Sequence, residues 1–192
     1  MGKVVVFTNV TLDGVMQAPG RPDEDRRDGF QHGGWGAPYA AMQSREAVAS
    51  LPPMGGLLLG RRTYEDFYAV WPQRKDDPLS ARLDNMQKYV ASTTLSEPLP
   101  WINSTLLKGD AAQTVAGLKA QQEGDLMVLG SGQLIQSLMQ HHLIDLYVLL
   151  IHPLVLGSGH RLFGDSGVSA TLHLIDAKAT PNGVVVATYQ PA

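Results

Sequence analysis

Leu126-Met127-Val128-Leu129-Gly130-Ser131-Gly132-Gln133-Leu134 is a short apolar run that ends in Gly-Ser-Gly and passes at once into an amphipathic pattern. The run Leu126–Leu129, closed by a turn signal, reads as a strand covered on both faces. From Ser131 to Leu143, Leu134, Ile135, Leu138, Met139 and His142 fall along one helical face, with Gln133, Gln136, Gln140 and His141 largely off it. Glycines at such a junction let the backbone approach a ligand, and the N–H groups of a first helical turn attract an anion. The segment is therefore either a cradle for a pyrophosphate or a tight turn that serves the fold alone. It is neither familiar nucleotide fingerprint. Ile135 holds the third glycine position of Gly-x-Gly-x-x-Gly, and no lysine follows as in a P-loop.

A second strand–glycine–helix junction is Leu57-Leu58-Leu59-Gly60-Arg61-Arg62-Thr63-Tyr64-Glu65. Two guanidiniums at the positive end of a helix are a poor choice for stability, and an anion between them would offset the repulsion. Arginine beside a nucleotide site also accommodates a 2′-phosphate, which favours NADP over NAD. The alternative is a pair of solvated arginines.

Other apolar runs read as strands at Val4–Thr8, Tyr89–Ser92, Leu146–Ile151 and Val184–Tyr189. Asp110 is a plausible N-cap for a helix through Gln121 with Ala112, Val115 and Leu118 inward, and Arg61–Tyr68 is helical. Pro38–Ala49 is a further helix expectation, stopped by Pro52-Pro53. Asp23–Asp28 and Pro72–Pro78 read as loops. Strand and helix alternate through the first three quarters, and the last quarter is strand-rich. That order implies an α/β sheet, mostly parallel, with an antiparallel hairpin or edge at the C-terminal end.

Composition narrows the function. The 192 residues suit one domain, 1–192, with a sizeable core. A net charge of −3 argues against a nucleic-acid phosphate footprint, and zero cysteines exclude a thiol nucleophile and a thiolate zinc site. The N-terminus lacks signal-peptide regions, and no apolar run approaches the ~20 residues that span a bilayer. The expectation is a cytoplasmic protein with no membrane and no nucleic-acid partner. Charged residues at 17% and the apolar C-terminal strands suggest a homodimer through the sheet edge or the strand-rich end. The six histidines show no metal-ligand spacing, so no metal is expected, and no Gly-x-Ser-x-Gly elbow occurs.

Three further stretches complete the candidate list. Ser92-Thr93-Thr94 places hydroxyls after a strand. Thr11-Leu12-Asp13-Gly14 follows the first strand as a turn. Pro153-Leu154-Val155-Leu156-Gly157-Ser158-Gly159-His160-Arg161-Leu162-Phe163 is a Gly-Ser-Gly loop followed by a basic pair, readable as a loop approaching substrate or as a plain hairpin turn.

In this order these segments resemble the dihydrofolate reductase superfamily, and within it the RibD C-terminal reductase domain family, over nearly the whole chain. The resemblance implies a three-layer fold: a central mixed sheet of about eight strands, helices on both faces, and NADPH bound at the carboxyl edge. It implies that Gly60, Arg61, Arg62 and Thr63 meet the cofactor phosphates, with Arg62 the candidate for the 2′-phosphate. Ser92 and Thr93 would flank the adenosine end, and Gly130, Ser131, Gly132, Gln133 and Leu134 would wrap the pyrophosphate. Thr11, Leu12, Asp13 and Gly14 would lie beside the nicotinamide, and Gly157, Ser158 and Gly159 near the substrate. The activity implied is hydride transfer from NADPH to a small heterocyclic or ribosylamine substrate, as in reduction of 5-amino-6-(5-phosphoribosylamino)uracil.

The sequence also departs from its relatives. Folate reductases keep a carboxylate on the first helix, whereas residues 30–41 contain no Asp or Glu, which makes folate reduction an unsuitable reading. His32, Trp35 and Tyr39 instead suggest a substrate wall, with His32 able to donate a proton near neutrality. The zinc deaminase that precedes this domain in bifunctional relatives needs Pro-Cys-x-x-Cys ligands, which this sequence lacks. Two other readings remain open: a nucleotide-binding protein without catalysis, and a same-fold reductase recruited to secondary metabolism.

Overall fold

The computed structural model describes residues 2–40, 54–164 and 168–192. Their eight strands form a mixed sheet in the order β4-β3-β2-β5-β1-β6-β8-β7. The strands are β1 (Val4–Thr11), β2 (Met54–Gly60), β3 (Lys88–Ala91), β4 (Ser104–Leu107), β5 (Asp125–Leu129), β6 (Leu146–His152), β7 (Leu172–Ala179) and β8 (Val185–Pro191). Four α-helices are described: α1 (Arg61–Val70), α2 (Pro78–Asn85), α3 (Ala111–Gln121) and α4 (Gly132–Gln140). This is the dihydrofolate reductase-like α/β class expected from the sequence. The chain divides into two compact units.

The first unit comprises Met1–Val5 and Pro53–Leu143. Here β2 pairs parallel with both β3 and β5, and β3 with β4. Leu57, Leu58 and Leu59 on β2 are fully buried, and so are Leu126 and Val128 on β5, with Met127 nearly so. Successive strand residues face opposite ways, so unbroken burial requires cover on both faces, as the apolar runs foretold. The Asp110 carboxylate caps α3 by accepting from Gln113 N at 2.8 Å, and Ala112 and Val115 are buried. Lys88, at the start of β3, is a buried cation. Its Nζ donates to the carbonyls of Leu83 (2.7 Å), Asp84 (3.2 Å) and Met86 (2.8 Å) and lies 4.5 Å from the centroid of the Trp101 ring. Those carbonyls belong to the end of α2, where the helix leaves its acceptors without intrahelical donors. Burial pushes the Lys88 ammonium down to about 8.

The second unit comprises Val6–Pro52 and Ile144–Ala192. In it β8 pairs antiparallel with β6 and β7, with a register shift between Leu174 and Asp176 on β7. A small apolar cluster of Val15, Ala18, Phe30 and Trp35, flanked by Leu154 and Leu156, packs beneath the long loops.

Several expectations need correcting. β4 and β7 were not legible as strands: β4 is four residues with a polar start, and β7 is an edge strand exposed along almost its whole length. Pro72–Pro78 is not all loop. Trp71–Gln73 is a 3-10 turn, and Pro78 opens α2 behind the Asp77 cap, whose carboxylate accepts from Leu79 N at 2.9 Å. The Ser131–Leu143 helix is shorter, Gly132–Gln140, because His142 takes a left-handed φ of 53° and turns the chain away. Met139 is only half-buried and His142 is exposed. Within the Pro38–Ala49 expectation, Ala37–Tyr39 is a 3-10 turn, and residues 41–49 lie outside the described residues.

Candidate functional site

Each unit carries its own constellation. In the first, neighbouring parallel strands β2 and β5 end in glycine junctions that open α1 and α4. Ser131 adopts φ 57° and ψ 47°, directly after Gly130 at φ 53°. Two successive left-handed residues are unusual, and only the first is a glycine. Hydroxyl bonds hold the pair. Ser131 N donates to Thr63 Oγ1 at 3.1 Å, Ser131 Oγ donates to Leu129 O at 3.0 Å, and Gly60 N donates to Ser131 Oγ at 2.9 Å. A Cβ on Gly130 would lie 3.3 Å from the Thr63 side chain, and one on Gly60 would lie 3.6 Å from Ser131. The two junctions are thus stitched together by Thr63 and Ser131.

The stitching leaves both helix starts open. Neither α1 nor α4 has a side-chain N-cap or an acidic residue in its first turn, whereas α2 and α3 are capped by Asp77 and Asp110. Side by side, two uncapped N-termini present N–H groups and two positive dipole ends, an arrangement that suits an anion. Gly132, Gln133 and Leu134 form the first turn of α4. Arg62 is exposed on α1, while Arg61 pairs with Glu65 at 3.2 Å one turn on. Ser92 closes β3 differently: its Oγ accepts from Thr94 N at 3.1 Å and Leu95 N at 3.0 Å, so that hydroxyl shapes a turn. Thr93 is exposed.

In the second unit the Thr11–Gly14 turn and the Pro153–Phe163 loop are laced to one another. Leu12 N donates to Leu154 O, Met16 N to His160 O, and Leu162 N to Gly14 O, at 2.8, 2.9 and 3.0 Å. Asp13 is the hub. Its carboxylate accepts from Thr11 Oγ1 (2.6 Å), Gly157 N (2.8 Å) and Leu156 N (3.2 Å), and Arg161 Nε donates to its backbone carbonyl at 2.8 Å. The Thr11 hydroxyl and the two amides hold the Asp13 carboxyl down at about 2, against an opposing effect of burial. Asp13 is therefore an anion throughout the physiological range. Gly159, at φ 113°, lies so close to Phe30 and Val15 that a Cβ there would come within 2.6 Å of the Phe30 ring. Gly157, at φ 77°, is open, and Ser158 is exposed.

The suggested substrate wall divides. His32 is exposed, edge-on to Phe30 with ring centroids 5.7 Å apart. Trp35 is buried and fixed, donating from Nε1 to Gln17 O at 2.7 Å. Trp35 and Tyr39 both stand edge-on to His152, with centroids 4.8 and 5.0 Å away. His152 ends β6, is 0% exposed, and bonds through Nε2 to Asn9 Oδ1 at 3.0 Å. Desolvation pushes its imidazole down to about 4, so the ring is neutral.

Reading the sequence missed Asn9, Gln17 and His152. Gln17 is buried, donates to Arg27 O at 3.2 Å and accepts from His160 N at 2.9 Å. No motif marks any of the three, because what joins them is tertiary. Among the described residues no cluster of His, Asp or Glu could hold a metal ion.

The parallel strands with their glycine junctions and the antiparallel C-terminal hairpin place the molecule in the dihydrofolate reductase-like class. A dihydrofolate reductase from Enterococcus faecalis, complexed with NADP(H) and RAB-propyl, is similar with a TM-score of 0.58 at 15% identity, over 99% of this chain and 96% of that one. A candidate riboflavin biosynthesis protein from Shewanella sp. PV-4 is similar with a TM-score of 0.67 at 24% identity, over 99% of both chains. Residues 2–186 match the RibD C-terminal domain family, and the chain belongs to it. The uncharacterized protein YyaP of Bacillus subtilis (strain 168) is 28% identical over 141 residues, 69% of this chain and 72% of its own length.

Proposed function

We propose that this protein is an NADPH-dependent reductase acting on a small heterocyclic or ribosylamine substrate. The observation that carries the reading is the pair of uncapped helix starts at Gly60 and Ser131, locked by Thr63 into a form that suits a pyrophosphate. Glycine at 60 and 130 keeps Cβ atoms out of that cradle. Arg62 is assigned the 2′-phosphate, Arg61 a supporting charge, and Ser92 and Thr93 the adenosine end. When bound, NADPH supplies the hydride.

The second unit supplies the remaining roles. Thr11, Leu12 and Gly14 shape the nicotinamide side, with Asp13 as the permanent anion that fixes the Gly157-Ser158-Gly159 loop. Because Asp13 stays ionised, the proton that accompanies the hydride is assigned to His32, and Trp35 and Tyr39 are assigned to the substrate wall. A homodimer formed through β7 fits the exposed Leu174 and Ile175 on that edge strand, 57% and 54% accessible. A sedimentation run showing a monomer at tens of micromolar would remove that part.

The test is a paired calorimetric titration with NADPH and NADH. Micromolar or tighter NADPH binding with at least tenfold preference over NADH, about 1.4 kcal/mol, is expected, and Arg62→Ala should abolish the preference. Equal or absent binding would make the junctions structural and end the reductase reading. Tight NADPH binding without oxidation by any aminouracil or pteridine substrate would leave a nucleotide-binding protein without catalysis.

A further inference from the structure

Of the four asparagines in the chain, only Asn182 precedes a glycine. Asn9, Asn85 and Asn103 are followed by Val10, Met86 and Ser104, whose side chains crowd the peptide nitrogen next to the asparagine. Thr180-Pro181-Asn182-Gly183-Val184 joins β7 to β8, and its bonds explain the glycine. Gly183 N donates to Thr180 O at 2.9 Å and Thr180 N to Val184 O at 2.8 Å, closing a tight turn with Pro181 at its second position. Gly183 takes φ 86°, a left-handed value that a side chain would strain. The hairpin therefore requires glycine at 183, and that glycine leaves its own nitrogen sterically open to Asn182.

An asparagine beside an unhindered peptide nitrogen is a self-reacting pair, one reason that asparagine counts among the thermolabile residues. Once solvent hydroxide removes its proton, Gly183 N attacks Asn182 Cγ. The new C–N bond closes a five-membered succinimide, the bond from Cγ to Nδ2 breaks, and that nitrogen leaves as ammonia. Water then opens either ring carbonyl, which leaves an aspartyl or an isoaspartyl residue at position 182. Gly183 is exposed and Asn182 half-buried at the hairpin tip, so solvent reaches the pair.

The fold restrains the reaction through three contacts. The Gly183 N–H is engaged by Thr180 O. The hydroxyl of buried Thr180 donates to Asn182 Oδ1 at 2.6 Å and lies 2.9 Å from Val184 O. On the other side of the amide, Nδ2 donates to Tyr39 O at 3.4 Å. A peptide carbonyl only accepts, so this contact fixes which arm of the amide is Nδ2. The nucleophile and both arms of the electrophile are thus held, and reaction requires local opening of the tip. The hydroxyl also polarises the Asn182 carbonyl, but that helps only after Gly183 N is released.

We propose that Asn182 is a site of spontaneous deamidation, that Thr180 restrains it by holding the hairpin tip closed, and that the product unties Tyr39 from the hairpin. Either product places a carboxylate at position 182. The contact with Tyr39 O then changes from donor against acceptor to acceptor against acceptor. The Ala37–Tyr39 turn loses its tie to the hairpin, while the Tyr39 ring keeps its edge-on contact with His152.

The experiment incubates the full chain at neutral and mildly alkaline pH, and peptide mapping by mass spectrometry follows each asparagine. Exchange of NH2 for OH is expected at position 182, severalfold faster than at Asn9, Asn85 or Asn103, and faster as the pH rises. Labelling by isoaspartyl methyltransferase should mark the same peptide. Thr180→Val, which keeps the shape and removes the hydroxyl, should accelerate the reaction about threefold or more, whereas Thr180→Ser should stay near the parent rate. The parent chain unfolded in urea should likewise react faster at position 182 than the folded chain. Asn182→Asp should show faster hydrogen exchange across residues 37–40 than the parent. Reaction at 182 no faster than at the other three asparagines, or equal rates in the folded and the urea-unfolded chain, overturns the proposal. So does a folded Thr180→Val protein that reacts no faster than the parent, or unchanged exchange across residues 37–40 in Asn182→Asp.

Discussion

Thr63 Oγ1 accepts the backbone N–H of Ser131 at 3.1 Å, joining two residues 68 positions apart in the chain. Each stands at the start of a helix that follows a glycine junction, and the two junctions end adjacent parallel strands. One hydroxyl therefore sets the spacing of both helix starts and holds Ser131 in its left-handed conformation.

Thr63→Val keeps the shape and removes the acceptor. Ser131 N–H is then left without its partner in a half-buried position, which costs about 1–2 kcal/mol. NADPH affinity should fall by tenfold or more because the backbone of Gly130–Gly132 loses its fixed form, whereas Thr63→Ser should retain most of both. Calorimetry and urea denaturation on the three proteins decide it. Normal affinity in Thr63→Val would show that the cradle does not depend on this bond.

Asp13→Asn should loosen the Gly157 loop. The amide can accept one bond through Oδ1, but its Nδ2 turns a donor toward the N–H of Gly157 or Leu156, with a loss of about 1–3 kcal/mol at neutral pH. The pH dependence has a definite sign. The folded-state pKa, about 2, lies below the ordinary 3.8, so the stabilisation is complete above pH 4 and is lost as pH falls from about 4 toward 2. The gap between parent and variant in urea stability should accordingly narrow over that range. A gap that stays constant down to pH 3 and below would contradict the carboxylate assignment.

Lys88→Met removes the donor shared by the carbonyls of Leu83, Asp84 and Met86, and the charge that lies over the Trp101 ring, while keeping an unbranched side chain of similar length. Several buried acceptors at the end of α2 lose a charged partner at once, so a destabilisation of about 3 kcal/mol is expected. Lys88→Arg should not rescue it, since the planar fork does not fit a site that three convergent carbonyls shape around a point charge. Thermal melts test both variants. A Met variant as stable as the parent would mean that desolvation of the ammonium offsets its bonds.

Much of the first unit was legible because its signals are local. Leu57–Leu59 and Leu126–Leu129 are β-length apolar runs, Gly60 and Gly130 end them, and Asp110 caps the helix it heads. What stayed hidden had its cause elsewhere in the chain. β4 is too short to show a period, and the apolar alternation of β7 (Leu172 and Leu174, then Ile175, Ala177 and Ala179) changes phase where the register shifts between Leu174 and Asp176. The α2 helix did carry a signal, Asp77 before Pro78, but the flanking charges read as loop. At the candidate sites, the glycine junctions could be quoted from sequence, but the bond from Thr63 to Ser131 could not, since nothing in either stretch names the other. The same holds for Asn9 and His152, separated by 143 residues. His152 looked like a lone histidine before Pro153. Nothing in the stretch around Trp35 and Tyr39 names the ring that both of them face.

The buried imidazole makes a final prediction with its own pH window. His152 is held neutral by desolvation, with its pKa lowered from 6.5 to about 4. Between those values the unfolded chain binds a proton that the folded chain does not, so stability rises with pH across the window and falls as the solution is acidified from 6.5 to 4. A shift of that size corresponds to at most roughly 3 kcal/mol. His152→Gln cannot titrate and should lack this dependence, while every carboxylate contribution remains common to both proteins. Urea denaturation of parent and variant at half-unit steps from pH 7 to pH 4 isolates the difference. A difference curve flat over the whole range would mean that His152 takes up its proton in the fold as readily as in the unfolded chain, and that burial does not hold it neutral.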